Sequence, residues 1–386
     1  MSDSNPLDPY MAARMAHSVY AVIGDQDGDN AGRAIARRDS GAYHYLNNRF
    51  DLKSAVVAQG TSGIGRISQR TGFAMVLPGD NEVAVVTRGT DTKYDWLTNI
   101  HSTWTAGPAG HSVHTGFNNT YESISGFVDR VLKKFPNQHV HCVGHSLGGA
   151  LANLFAARFT NAGRSVSLYT FGSPRVGMND LSAYLESKLQ SKIYRVYNKS
   201  DPVPLVPIYP FVHAPYTTGG MCVSGGSALY SVSAHSMKTY SSLVKTASWK
   251  SLSTTTAGLP LHAAVDKWLD LASENVRIPG SSAALWLLSK ILIGLVDAAR
   301  AVVGIATTIA TSVADLIAAL LLKAASLSKV VGERLMRWIS LVMRYLGKKI
   351  VVTAKEVTRV FLNWLLELLL RPVLSLARRA LDLTML

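Results

Sequence analysis

The feature that most constrains the fold is a glycine-rich turn between a predicted strand and a predicted helix. His139 to Gly144 has the apolar, β-branched character of a buried strand, and Gly149 to Ala162 has helical spacing. Between them stands Gly144-His145-Ser146-Leu147-Gly148, whose two glycines permit a turn too tight for side chains. A strand that turns so sharply into a helix predicts a sheet with helices packed on its faces.

The first part of the chain repeats this alternation of strand and helix. Short β-rich runs alternate with helical stretches, which predicts an α/β domain with a mainly parallel sheet over residues 1–250. The further predicted strands are Phe73 to Leu77, Val83 to Thr87, Val166 to Phe171 and Ile193 to Tyr197, and the further predicted helices are Thr120 to Phe135 and Asp180 to Leu189.

The last third of the chain has a different composition. A Ser/Thr-rich stretch predicts a linker over 251–282, and from 283 to 386 leucine, alanine and valine recur at helical spacing with no strand signal. Of the formal net charge of +14, residues 245–386 carry +9. With 48% apolar and only 17% charged residues, most of the chain is too apolar to be disordered. We therefore predict an α/β domain followed by an all-helical, basic region.

Two stretches of this region predict basic amphipathic helices, around Leu327 to Leu346 and Val357 to Arg371. A basic polar face opposite Trp and Leu suits an anionic membrane surface. A partner protein, such as a chaperone or an inhibitor, or a bundle with its polar faces in water would give the same pattern. Ala301 to Leu322 is long enough to span a bilayer, but its Asp315 and its hydroxyl residues equally fit a buried bundle helix.

Ser146 has the position of a nucleophile, because the turn exposes its hydroxyl above the sheet edge. Such a serine needs a base and an orienting carboxylate, which follow it in the order acid, then histidine. Asp201 lies directly after a predicted strand and is the candidate acid. Spacing alone leaves the base open among His213, His235 and His262. The N–H of Leu147, next to the serine, is one predicted donor to an oxyanion.

The sequence resembles the class 3, fungal-type lipases of the α/β-hydrolase fold, from about Phe73 to Tyr240. The resemblance implies that Ser146 is the nucleophile, Asp201 the acid and His235 the base, although Ala234 stands where the family tends to have an acidic residue. It also implies that Thr90 is a second oxyanion donor and that residues 92–105 form a lid. The motifs that carry it are Val86-Thr87-Arg88-Gly89-Thr90 with Asp95-Trp96-Leu97, Val113-His114-Thr115-Gly116-Phe117, Gly144 to Gly149, and Asp201-Pro202-Val203-Pro204.

We therefore expect a serine lipase or phospholipase that cleaves acyl esters of lipids through an acyl-enzyme. Two alternatives remain: a triacylglycerol lipase whose tail binds a chaperone or inhibitor, and a membrane-permeabilising protein in which hydrolysis is not the main activity. No metal or organic cofactor is expected, and two cysteines rule out a four-cysteine metal site. Nucleic acid is not an expected partner, because the basic residues lie on amphipathic helices without a recognised binding motif.

The N-terminal residues are polar and lack a basic segment followed by an apolar one, so no Sec signal peptide is predicted. The expected location is membrane-associated, with the protein either cytoplasmic or exported by a leaderless route. A lipase domain with a basic helical tail also resembles the lipase effectors that bacteria deliver into competitors.

Overall fold

The structure is a computed structural model that describes residues 5–22, 31–62, 69–88, 104–207, 210–216, 219–223, 230–254, 265–275, 282–303, 313–348 and 353–383 of the 386-residue chain. A seven-stranded sheet with the order β1-β2-β3-β6-β7-β8-β9 forms its centre, and β4 and β5 form a separate two-stranded ribbon. The strands are β1 (Val56–Ser62), β2 (Gln69–Pro78), β3 (Glu82–Arg88), β4 (Trp104–Ala106), β5 (Ser112–His114), β6 (His139–His145), β7 (Val166–Phe171), β8 (Ile193–Asn198) and β9 (Met221–Val223).

From β3 to β9 neighbouring strands of the large sheet are parallel, whereas β1, β2 and β3 pair antiparallel at one edge. The helices are α1 (Pro9–Val22), α2 (Ala31–Arg38), α3 (Ser40–Asn47), α4 (Thr115–Leu132), α5 (Leu147–Asn161), α6 (Asn179–Leu189), α7 (Met237–Val244), α8 (Trp249–Thr254), α9 (Val265–Asn275), α10 (Ser282–Val303), α11 (Val313–Leu327), α12 (Lys329–Tyr345) and α13 (Arg359–Leu383). The five predicted strands and three predicted helices are all present, with ends that differ by a few residues.

Both faces of the sheet are buried, which explains why its central strands are almost continuously apolar. On one face, α4, α5 and α6 pack on a cluster that includes Val85, Val140 and Leu168. On the other, α1 and α7 pack on a cluster that includes Met75 and Phe171. This is the α/β-hydrolase architecture, in which the parallel strands end along one edge of the sheet.

A third cluster lies in the C-terminal region, where α9 to α12 and the first half of α13 bury their leucines against one another. Part of the predicted linker belongs to this bundle, since α9 buries Val265, Leu269 and Ala272 at helical spacing. The helical region therefore begins in the described residues at Val265 and not at 283. The Ser/Thr-rich run, residues 250–258, ends before this helix and does not include it.

The predicted membrane-span candidate, residues 301–322, does not lie within one described helix. Its ends belong to α10 and α11, and residues 304–312 lie outside the described residues. The described side chains Ile317, Ala318 and Leu321 are buried in the bundle. In the described residues, α13 has the length and apolar composition to cross a membrane, with a mean hydropathy of 1.6, but core helices of soluble proteins have the same properties.

Candidate active site

Ser146 lies at a sharp turn between β6 and α5, with φ 58° and ψ −133°. A serine rarely adopts this left-handed conformation, and the neighbouring glycines make it possible. A Cβ on Gly144 would lie 2.3 Å from the carbonyl oxygen of Gly148, and a Cβ on Gly148 would lie 2.1 Å from that of Thr87. This close contact between backbone segments places the Ser146 hydroxyl at the end of β6, the central strand of the sheet.

Three side chains from distant parts of the chain form a hydrogen-bonded chain at this turn. Nε2 of His235 lies 2.8 Å from Oγ of Ser146, and Nδ1 of His235 lies 2.7 Å from Oδ2 of Asp201. The carboxylate accepts from Nδ1–H, so Nε2 is the atom that can accept the serine proton. None of the three residues is more than 3% exposed. Low dielectric strengthens these hydrogen bonds, so the geometry can support nucleophilic attack by Ser146.

Asp201 is held by further hydrogen bonds that the sequence did not reveal. The hydroxyl of Tyr240 donates to Oδ2 at 2.7 Å, and the N–H of Val203 donates to Oδ1 at 2.9 Å. The same tyrosine oxygen accepts the N–H of Asn198 at 2.9 Å. These donors fix the orientation of the carboxylate towards His235. Tyr240 has no motif of its own in the sequence, because its role depends on where α7 packs.

A second buried histidine connects the serine turn to the loop of His235. Nε2 of His145 donates to the carbonyl oxygen of His235 at 2.7 Å, while its Nδ1 accepts from the hydroxyl of Tyr20 at 2.8 Å. Acceptance at Nδ1 requires a neutral ring, and burial, with a smaller effect of His235, holds the pKa of His145 well below its ordinary value. The guanidinium of Arg88 lies 5.0 Å from the centre of the Tyr20 ring. Helix α1 thus supports the site through Tyr20.

The structure distinguishes between two of the candidate bases, His213 and His235. Nε2 of His213 donates to the carbonyl oxygen of Pro204 at 2.8 Å, and its ring contacts neither Ser146 nor Asp201 through a hydrogen bond. His262 lies outside the described residues. Of the two candidate bases that the structure describes, His235 is the one that hydrogen-bonds to both the serine and the aspartate.

Leu147 is the first residue of α5, where backbone N–H groups have no acceptor within the helix. Its N–H and the positive end of the helix dipole therefore lie beside the serine, as an oxyanion donor requires. The second predicted donor, Thr90, lies outside the described residues, and so does the predicted lid except for Trp104 and Thr105. Trp104 is 51% exposed on β4.

His114, in the Val113-His114-Thr115-Gly116-Phe117 motif, caps α4 by accepting the N–H of Gly116 at Nδ1. Burial lowers its pKa to about 4, which suits this acceptor role.

The described residues contain no group of three or more His, Cys, Asp or Glu that could hold a metal ion.

A buried Ser-His-Asp triad at a strand-to-helix turn of a largely parallel sheet defines a serine hydrolase of the α/β-hydrolase class. In a comparison with models of known protein families, residues 84–211 match the model of the class 3 lipases. This part of the chain is therefore similar to the class 3 lipases. The matched segment contains Ser146 and Asp201 and ends before His235.

Two curated relatives share about a third of their aligned residues with this chain. A secreted mono- and diacylglycerol lipase of Fusarium solani is 34% identical over 150 residues, which are 36% of this chain and 45% of that protein. A lipase of Rhizomucor miehei is 34% identical over 156 residues, which are 36% of this chain and 43% of that protein. The chain thus spans less than half the length of either relative.

Among solved structures, a lipase from Rhizopus microsporus var. chinensis aligns with a TM-score of 0.42 and 24% identity over 57% of this chain and 74% of that one. Lip2 lipase from Yarrowia lipolytica aligns with a TM-score of 0.42 and 21% identity over 57% of this chain and 82% of that one.

Proposed function

We propose that the protein hydrolyses acyl esters of lipids by a serine mechanism. The observation that supports this most directly is the hydrogen-bonded chain from Ser146 through His235 to Asp201 within a class 3 lipase domain. His235 would take the serine proton as Oγ attacks the ester carbonyl, and would return it to the leaving alcohol. Water, activated by the same histidine, would then release the fatty acid from the acyl-enzyme.

The N–H of Leu147 would stabilise the negative charge that develops on the carbonyl oxygen, and Thr90 would supply the second donor. Asp201 would hold His235 in the reactive tautomer and stabilise its charged form. No metal or organic cofactor enters these steps.

The preferred substrate class is phospholipid in an anionic bilayer, cleaved as by a phospholipase A. The charge of the helical region supports this preference, since residues 245–386 carry +9 of the net +14. Exposed apolar side chains accompany the charge: Val360 is 80%, Leu327 57% and Val330 54% exposed. Lys329, between the last two, has 90% of its side chain exposed. Apolar side chains beside a lysine are typical of a surface that lies in the headgroup layer, so we propose a membrane-associated location.

The test compares the wild type with Ser146→Ala on phosphatidylglycerol-rich liposomes, and free fatty acid, lysolipid and dye leakage are measured together. We expect fatty acid release by the wild type to be at least about 1,000-fold faster than by the variant, because removal of a triad nucleophile can lower kcat by about a million-fold. Leakage by both proteins without fatty acid would overturn the proposal and favour a membrane-permeabilising protein.

A second comparison separates the substrate classes. Rates on emulsified triglyceride and on anionic liposomes are measured at equal ester concentration, at about 0.05 and 0.5 M salt. Phospholipid preference predicts faster cleavage of the liposomes and a loss of that rate at high salt, because salt screens basic residues from anionic headgroups. A faster, salt-independent rate on triglyceride would favour the alternative in which the tail binds a chaperone or inhibitor.

A further inference from the structure

Helix α13 belongs to two hydrophobic cores at once. Its first half packs in the helical bundle through Leu362, Leu366 and Leu369. Its second half leaves the bundle, and Ala377, Ala380 and Leu381, each fully buried, belong to the core cluster of the lipase domain. A single helix therefore couples the packing of the two regions.

Helix α13 contacts two short 3-10 turns close to the triad acid and base, Val203–Leu205 and Val232–His235. The first begins two residues after Asp201, and the N–H of Val203 donates to Oδ1 of Asp201. The second ends at His235 itself. Val203 and Val206 are buried in the same cluster as Leu381, and Val232 packs against it. Displacement of α13 would thus remove the packing support of both turns.

The bundle is fixed to the lipase domain at a second place, beside the same loops. Phe211 is buried in the bundle cluster, and the hydroxyl of Tyr216 donates to the carboxylate of Asp297 on α10. Arg300, also on α10, donates to the oxygen of Tyr216 at 2.9 Å. Two separate contacts hold the helical region against the chain segment that runs from Asp201 to His235.

A triad works only within a narrow range of geometry, and a shift of about 1 Å can cost 100-fold in rate. Short 3-10 turns make few internal hydrogen bonds, so outside packing decides where they lie. We propose that packing against the second half of α13 holds the 3-10 turns Val203–Leu205 and Val232–His235 in place, an arrangement called here the brace. Ala377, Ala380 and Leu381 are then positioning residues for Asp201 and His235. The helical region is then needed for hydrolysis itself, even of a water-soluble ester that requires no membrane. This inference rests on the proposed function.

The test uses the full-length protein and p-nitrophenyl butyrate, so that membrane binding does not enter the rate. Leu381→Ala removes a buried contact of the brace, and Arg379→Ala, on the exposed side of the same helix, is the matched control. We expect Leu381→Ala to lower kcat about 10- to 100-fold with KM changed less than about twofold. Arg379→Ala should keep the wild-type kcat, and Leu381→Met, which restores the volume, should recover most of it.

Labelling by a fluorophosphonate gives an independent readout of the triad. In this reaction Oγ of Ser146 bonds to phosphorus, fluoride leaves and His235 takes the proton, so the labelling rate should fall in parallel with kcat. Circular dichroism and the Tm show which variants are folded at the assay temperature. If Leu381→Ala does not fold, Leu381→Val is tested, which removes less of the side chain. Its kcat and labelling rate are also expected to fall.

A folded Leu381→Ala or Leu381→Val with the wild-type kcat and labelling rate would overturn the brace and leave the proposed function intact. A kcat above that of the wild type would also overturn the brace, since α13 would then inhibit the active site. Failure of the proposed function is distinct, because the wild type itself would neither cleave the ester nor react with the probe.

Discussion

At the residue scale, the hydroxyl of Tyr240 is bonded to the carboxylate that orients His235. Tyr240→Phe removes this donor and keeps the ring. A hydrogen bond to a charged group contributes about 1.5–3 kcal/mol, so we predict a fall in kcat of about 10- to 100-fold with little change in KM. Steady-state kinetics on a soluble ester measure both constants.

Tyr194→Phe is the matched control for this prediction. Its hydroxyl makes no hydrogen bond among the described residues, and its ring stacks on Tyr169 away from the triad. We expect its kcat to equal that of the wild type. Equal rates for Tyr240→Phe and Tyr194→Phe would contradict a positioning role for Tyr240.

At the scale of elements, the turn between β6 and α5 depends on glycine where backbone approaches backbone. A Cβ on Gly148 would lie 2.1 Å from the carbonyl oxygen of Thr87, whose hydroxyl already donates to the carbonyl oxygen of Gly148 at 2.7 Å. Gly148→Ala must therefore push β3 and α5 apart. We predict a loss of about 3 kcal/mol or more in the free energy of unfolding, together with loss of activity.

Gly126→Ala, inside α4, is the matched control, because it adds the same methyl group at a position where no backbone atom is close to it. The nearest atom to the new Cβ is the flexible end of Arg130, 3.9 Å away. Since alanine favours a helix over glycine, we expect the free energy of unfolding to rise by about 0.5–1 kcal/mol. Urea unfolding of both variants gives the two values. A Gly148→Ala variant as stable as Gly126→Ala would contradict the crowded turn.

Over the whole molecule, several buried histidines make stability depend on pH. Burial lowers the pKa of His114 to about 4 and also lowers the pKa values of His141, His145 and His213. In the unfolded chain histidine titrates near 6.5, so below that pH the unfolded state binds protons that the folded state does not. The free energy of unfolding should fall by up to about 1.4 kcal/mol per pH unit for each such histidine.

Denaturant unfolding at pH 7.5, 6 and 5 measures this slope. The contribution of His114 is fully present above pH 6.5 and disappears as the pH falls towards 4. His114→Asn, which keeps an acceptor for the N–H of Gly116 and does not titrate, should have a shallower slope between pH 6.5 and 5. The same slope in the wild type and in this variant would contradict the assignment to His114.

The sequence by itself determined the local structure. The order of strands and helices, the glycine-dependent turn at Ser146 and the acid candidate Asp201 follow from residues close together in the chain, because β-branched runs, helical spacing and glycine act over short range. Several strands and helices were not predicted, among them β1, β9, α1 and α9, since short or irregular apolar patterns do not identify an element.

Tertiary structure alone decided which distant side chains meet. Spacing left His213, His235 and His262 open as bases, and the packing of the 3-10 turn Val232–His235 brings His235 to Ser146. The contacts of Tyr240 and His145 depend in the same way on long-range packing. The apolar pattern of α13 predicted an apolar face, but not that the second half of the helix packs in the α/β domain. Periodicity shows that a face is apolar, whereas the shape of the rest of the molecule decides what covers it.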